Sequence, residues 1–271
     1  MNDFSQLNSA TKYPSIETYH TLNPKNGGLL EEVVHDYHGE VLGTEKVDGG
    51  NGRIIIMPSH DYFIGSREEI TYASGDRIVN PMGSIVPTLL PLVDRLLGIE
   101  RSGLGTPGIE TYFFEVFGHR IGGGSKNYTK TDGLMGARLF DMAWAPMVLL
   151  EMEVDSISNW RKHGGQKWAP EDELQQIAKY TGIDLTPRLG TIDATELPTG
   201  IEDMQKFLNV LLPLTHAALD ETANGKGEGI VFRTKYRAVI SKAKFQDYER
   251  TMRLRTEGEH PRKKQKNTES T

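Results

Sequence analysis

Glu45-Lys46-Val47-Asp48-Gly49-Gly50-Asn51-Gly52-Arg53, running into the apolar Ile54-Ile55-Ile56-Met57, is the stretch on which the reading of this chain turns. A lysine stands two residues before Asp-Gly, among glycines, at the mouth of a predicted strand. Glycines let backbone N–H groups approach a ligand closely and adopt angles that a side chain forbids. On its own Lys-x-Asp-Gly occurs by chance in loops. It gains weight from further stretches downstream that share one chemical logic and follow in order.

Working outward, Val41-Leu42-Gly43-Thr44 leads into the motif, and the Ile-rich strand is followed by the turn Pro58-Ser59-His60-Asp61 and a hairpin partner, Tyr62 to Arg67. Upstream, residues 1 to about 40 are a mixed lead-in with a turn cluster at 23–28 and a short helix or strand at 29–34. Downstream, Ser84 to Leu97 carries apolar residues at near-helical spacing, with Ser84 placed to cap and Gly98 to end it, although Pro91 weakens a helix. After a turn at Thr106-Pro107-Gly108, the aromatic and β-branched Thr111 to Val116 reads as a strand. Next come a Gly, Ser and Lys-rich loop (Gly122 to Lys126) and an apolar strand from Ala137 to Trp144. The segment from 151 to 226 reads as helical: Pro170-Glu171-Asp172-Glu173 opens one helix that Gly182 ends, and Ile201 to Leu212 has one apolar face. Strands return at Gly229 to Arg233 and Ala238 to Lys244, and a frayed basic tail is expected beyond Arg255. The pattern is α+β, with antiparallel strands carrying the polar motifs and helices packed outside.

A length of 271 residues supports one large domain or two small ones, and 37% hydrophobic with 25% charged residues is a globular rather than a disordered composition. No apolar run reaches the roughly 20 residues of a membrane span, and the first residues lack a secretory pattern. The absence of cysteine excludes disulfides, thiolate metal sites and cysteine nucleophiles. A cytoplasmic protein is expected. The net charge of −6 is uneven: from Lys235 to Thr271 there are 11 Lys/Arg against 5 Asp/Glu. A basic end on an acidic body suits a local anionic partner such as nucleic acid, or simply a solvated tail.

The motifs supply a consistent chemistry. Lys46 is a candidate nucleophile, and a lysine amine attacks only once neighbouring cations or desolvation favour its neutral form. Arg53, Arg67, Lys242 and Lys244 bring positive charge that also holds phosphates; Lys242 and Lys244 alternate onto one strand face. Asp48, Glu115 and Glu228 are carboxylates near glycines, where a ligand or Mg2+ can approach. Phe140 offers a flat apolar surface. Together these describe attack of a lysine on an α-phosphate with departure of pyrophosphate. The eight histidines show no metal-ligand spacing.

This series resembles the nucleotidyltransferase domain of the ATP-dependent RNA ligase family, within the polynucleotide ligases and capping enzymes. Residues 45–53 are similar to its lysine motif and Gly65-Ser66-Arg67 to the next. Phe114-Glu115-Val116-Phe117-Gly118 and Leu139-Phe140-Asp141-Met142 resemble the third and fourth. Glu228-Gly229-Ile230-Val231-Phe232-Arg233 and Lys242-Ala243-Lys244 resemble the last two. Asn51 and the Glu115-Val116-Phe117-Gly118 form favour RNA over DNA ligases. The resemblance implies an α+β nucleotidyltransferase (ATP-grasp-like ligase) domain over residues 1–245, including the helical segment about 151–226, with a flexible basic tail at 246–271. It implies Lys46 as the residue that takes AMP from ATP, and Glu45, Val47, Asp48, Arg53, Arg67, Glu115, Phe140, Lys242 and Lys244 at the nucleotide. Glu115 would bind the ribose, Phe140 would stack on the purine, and Lys242 and Lys244 would face the α-phosphate. Asn51 and Arg67 would touch RNA, Glu228 would be associated with Mg2+, and RNA ends in a nicked duplex or broken strand would be the partner. Little sequence follows Lys244, so the tail and the 151–226 helices are expected to help grip RNA. A DNA ligase or capping guanylyltransferase would share the lysine chemistry, and a non-catalytic nucleotide- or RNA-binding module would share the pocket.

Overall fold

The computed structural model describes residues 4–74, 76–77, 84–99 and 108–259. The chain begins with a short helix, α1 (Ser5–Ala10), then β1 (Glu17–Thr18), β2 (His20–Leu22) and β3 (Leu29–Val33), which settles the ambiguous 29–34 segment as a strand. The lysine stretch lies across β4 (Glu40–Lys46) and β5 (Gly50–Ile56), followed by β6 (Tyr62–Ser66), β7 (Ile70–Ala73) and β8 (Asp76–Arg77). Helix α2 (Ile85–Leu97) precedes β9 (Gly108–Gly118), a one-turn α3 (Ser125–Tyr128) and β10 (Met135–Pro146). Then come α4 (Val154–Lys162), β11 (Lys167–Trp168), α5 (Glu171–Thr181), β12 (Arg188–Asp193), α6 (Ile201–Leu211), β13 (Gly229–Thr234), β14 (Ile240–Lys244) and α7 (Phe245–Glu259).

Two sheets face each other across the site. One has the order β1-β14-β13-β4-β12, the other β11-β10-β9-β5-β6-β7-β8, and β2 pairs separately with β3. The pairings are antiparallel except β1 with β14. Strand alternation explains the layers. Ile54, Ile56, Tyr112, Phe114 and Val116 point from one face of the larger sheet onto Leu89, Val93 and Leu96 of α2 and Leu174 of α5. Ile55, Ile109 and Ala145 point from the other face onto Leu7 and Ala10 of α1 and Ile157 of α4. The smaller sheet buries Val41, Ile230, Phe232 and Ala243 against Ile201, Met204 and Leu208 of α6 and Tyr248 of α7.

Four expectations need correction. The 151–226 segment is not purely helical: Arg188–Asp193 is an edge strand on β4. A register shift beside Gly190, whose φ is +132°, obscured its alternation. Ser84 precedes α2 but makes no side-chain cap bond, and α2 accommodates Pro91. Residues 246–259 are not a free tail. They belong to α7, where Tyr248 is buried and Thr251 Oγ1 accepts a 2.8 Å hydrogen bond from the Leu29 N–H. Two of the basic residues read as a tail are used there: Arg250 donates to the Gly27 carbonyl, and Arg255 pairs with Glu31 at 2.6 Å. Residues 260–271 and the turn residues Thr106 and Pro107 lie outside the described residues. Finally, Ala238 lies before β14, which opens at Ile240. No described helix is long and apolar enough to cross a membrane.

Candidate active site

The chain leaves the smaller sheet at Lys46 and enters the larger one at Gly50, so residues 47–49 cross between them. A cavity of about 420 Å³ opens at this crossing. It gathers Glu45, Lys46, Val47, Asp48, Asn51, Arg67, Glu115, Phe140, Glu228 and Lys242, ten of the residues the sequence singled out.

Lys46 ends β4 and Glu228 directly precedes β13; Gly229 lies opposite Lys46 in the register. Lys46 Nζ donates to Glu228 Oε2, and Lys244 Nζ lies 2.9 Å from Glu228 Oε1. Lys244 is not itself in the cavity wall; it reaches the site through this carboxylate. Burial works to raise the Glu228 carboxyl, but the charges and hydrogen bonds of the two lysines outweigh it and hold it below the usual range. Ile240, Lys242 and Lys244 share one face of β14, as period-two geometry requires, and Ile240 and Lys242 line the wall. Burial, reinforced by the charges of Lys46 and Lys244, pushes the Lys242 ammonium down. A phosphate entering here meets the Lys46 and Lys242 amines, with Lys244 behind the shared carboxylate.

Glu115 projects from β9 opposite Asn51 of β5. Its Oε1 accepts a 3.0 Å hydrogen bond from the Gly49 N–H. Burial raises its carboxyl to about 7; Lys46 opposes the shift, while Glu228 and Asp48 add to it. Asn51 Oδ1 is buried without a hydrogen-bond partner, an oxygen left for a ligand donor. Asp48 Oδ2 accepts from the Gly124 N–H at 2.8 Å. Arg67 stands at the rim, its side chain 60% exposed, with Nη2 3.3 Å from Ser15 Oγ.

Phe140 owes its position to a bulge. The register against β9 shifts between Leu139 and Asp141, so Phe140 has no opposite residue and both Phe140 and Asp141 reach the cavity. Phe140 meets Tyr13 edge-on at 5.0 Å and lies nearly parallel to Phe113 at 6.3 Å.

Besides Lys244, three predicted residues are placed differently from the expectation. Arg53 lies on the same face of β5 as Asn51 but further from the cavity, beneath α1. It is fully buried, donates to the Asn8 side chain and does not line the cavity. Burial, with Arg161 nearby, pushes its guanidinium down to about 9. It anchors α1 rather than a nucleotide. Glu45 points to the opposite face from Lys46. Its carboxylate accepts from Thr215 Oγ1 and, at 2.7 Å, from the His216 N–H, and burial raises it. That carboxylate is spent on a loop, although Glu45 still forms part of the wall. The Val47 side chain is buried with Phe117, Tyr128 and Ala217.

Sequence reasoning missed the N-terminal strap Tyr13-Pro14-Ser15-Ile16, and Thr44, Asp141, Thr186, Val231 and Arg233. Tyr13 Oη donates to Asp141 Oδ2 at 2.8 Å and accepts from Arg237 Nη2 at 2.9 Å. Asp141 also pairs with Arg237 Nε and, at 3.5 Å, with Arg233 Nη1. Arg237 stacks 3.4 Å from the Trp168 ring centre. Extending the alternation from Val231 by two would have found Arg233. The mixed lead-in gave no signal for Tyr13.

Among the described residues no three His, Asp or Glu side chains cluster as a metal site. Mg2+ suits such a place, because it rests on one or two carboxylates plus substrate phosphates and keeps several waters.

The RNA ligase family model matches residues 39–246. Solved structures give the same fold. A lysine-to-alanine mutant of Naegleria gruberi RNA ligase with ATP and Mn superposes with a TM-score of 0.56 at 14% identity, covering 88% of this chain and 57% of that one. An apo aspartate-to-alanine mutant of the same enzyme gives 0.57 at 14% identity, over 91% and 58%. The chain thus spans under two thirds of the length of these structures. No curated protein matches the sequence.

Proposed function

The chain belongs to the RNA ligase family, and from that premise and the cavity we propose that it is an ATP-dependent RNA ligase joining 5′-phosphate and 3′-hydroxyl ends. The observation that carries this reading is the Lys46–Glu228–Lys244 bridge beside Lys242.

ATP enters with its triphosphate toward these amines and its base toward Phe140. Lys46 Nζ, as the neutral amine, attacks the α-phosphorus. A P–N bond forms, the α–β P–O bond breaks, pyrophosphate leaves, and Nζ gives up a proton. Lys242 stabilises the charge that grows on the phosphoryl oxygens, and Lys244 supports it through Glu228. An RNA 5′-phosphate oxygen then displaces Lys46 to form a P–O–P bond. A 3′-hydroxyl attacks that 5′-phosphorus, releasing AMP and closing the phosphodiester. Glu228 and Asp48 are the carboxylates that would hold Mg2+, which supplies charge neutralisation at the phosphates when bound. Glu115, with Asn51 across the strand pair, is positioned for hydroxyls of a ribose. Arg67, exposed at the rim, is the cation that an RNA end meets first.

The 151–226 segment carries 13 Asp/Glu against 7 Lys/Arg. That balance repels a phosphate backbone, so RNA is gripped at the rim rather than by these helices. Sealing of a 5′-phosphorylated nicked RNA duplex with ATP and Mg2+, beside the all-DNA nick and a GTP control, tests the assignment. RNA joining with ATP supports it. Sealing confined to DNA, or nucleotide transfer confined to GTP, replaces it.

A further inference from the structure

We infer that Tyr128, together with Gly124, is a positioning device for the lysine loop: it fixes Asp48, and through it Lys46, from the β9–β10 connection. This inference rests on the ligase reading for its kinetic consequence, though not for its structural one.

Residues 47–49 lie between β4 and β5 and have left the strand ladder, so their N–H groups need other partners. Two side chains supply them for Asp48 and Gly49. Glu115 takes the Gly49 N–H, and Tyr128 Oη takes the Asp48 N–H at 2.7 Å. Tyr128 is completely buried, and its ring meets Phe117 edge-on at 5.0 Å, so the hydroxyl has one aim. The Tyr128 carbonyl accepts from the Leu219 N–H at 2.9 Å, which fastens the device to the connection before β13. The Asp48 carboxylate is held from the same connection by the Gly124 N–H. A Cβ on Gly124 would stand 2.5 Å from Asp48 Oδ2 and one on Gly122 3.2 Å from Oδ1, so glycine at these two positions lets backbone reach this carboxylate.

Lys46 is two residues from the pinned amide. Displacing a nucleophile by about 1 Å can slow attack by on the order of 100-fold, so a modest loosening is felt in the rate rather than in binding.

Tyr128→Phe keeps the ring and removes the acceptor. Hydrogen exchange at the Asp48 amide should accelerate at least about tenfold, the equivalent of roughly 1.4 kcal/mol for one buried hydrogen bond. Single-turnover formation of the lysyl-adenylate should slow about tenfold, with the half-saturating ATP concentration unchanged within about twofold. Leu96→Ala, which opens a cavity in the α2 core away from the lysine loop, is the stability control and should lower the melting temperature while keeping the rate within about twofold of wild type. Unchanged Asp48 exchange in Tyr128→Phe overturns the pin. Wild-type rate in Tyr128→Phe, or equal slowing in Leu96→Ala at equal loss of melting temperature, overturns its role in positioning. Faster exchange in a protein whose wild type forms no adenylate leaves the pin standing and removes the ligase reading instead.

Discussion

Two acids in this molecule, one half-buried and one fully buried, are each bridged by two cations, and they serve different ends. Glu228 lies between Lys46 and Lys244, with side chains 20–25% exposed. Asp141 lies between Arg233 and Arg237, with side chains 1–6% exposed, and takes the Tyr13 hydroxyl as well. The lysines are compact, mobile point charges that can trade a carboxylate for a phosphate. The arginines are planar, permanently charged and locked, one of them stacked on Trp168. The open cluster is suited to chemistry. The sealed one holds the strap, the β10 bulge and the β13–β14 turn together at the Phe140 end of the cavity.

The largest effect expected from breaking this contrast is in the sealed cluster. Asp141→Ala leaves two arginines buried without their acid, a loss of about 3–5 kcal/mol. Chemical denaturation should find it largely unfolded where wild type is folded. Glu228→Ala should do the reverse, slowing lysyl-adenylate formation about 100-fold, with a melting temperature within a few degrees of wild type. Lys244→Ala should slow the same step, less severely, because that lysine acts through Glu228.

Glu115 sharpens the comparison through pH. Its folded-state value of about 7 lies above that of an unfolded carboxylate. Between the two, the folded protein holds a proton that the unfolded chain has released, so this group makes stability fall as pH rises through that window. Glu115→Gln should therefore flatten the dependence of melting temperature on pH between about 5 and 7. An unchanged slope would show that the carboxyl is not the source. The smallest effect expected is at Arg53. Arg53→Met gives up a hydrogen bond to Asn8 but also removes a desolvated charge whose Nε has no partner, so it should change stability by about 1 kcal/mol or less and leave adenylate formation intact. A large loss of nucleotide transfer would return Arg53 to the site.

Most of the open cluster was legible in the sequence: Lys46, Asp48 and Glu228 sit at or beside strand ends next to glycines, and Glu115 and Lys242 are charges inside otherwise apolar or small-residue strands, where a charge has no packing role. Lys46, Asp48, Glu115, Glu228 and Lys242 all converge on the cavity. Arg53 misled because alternation gives a face but not a position along it: Asn51 reaches the cavity and Arg53, two residues on, lies under α1. Glu45 misled for the opposite reason, since its neighbour Lys46 owns the cavity face. Tyr13 and Arg237 were invisible because their partners are 128 and 96 residues away in sequence. The α7 helix was hidden by its composition; its few apolar residues, Phe245, Tyr248 and Met252, are spaced to dock one face among many charges.

The central claim is that Lys46 becomes covalently nucleotidylated. Intact-protein mass, measured after incubation with ATP and Mg2+, tests it most directly, with the Lys46→Ala protein alongside. The account predicts a gain of one AMP in the wild type, or a protein already carrying it, and none in the variant. An equal gain in Lys46→Ala, or wild-type protein that neither carries nor acquires AMP, would contradict it.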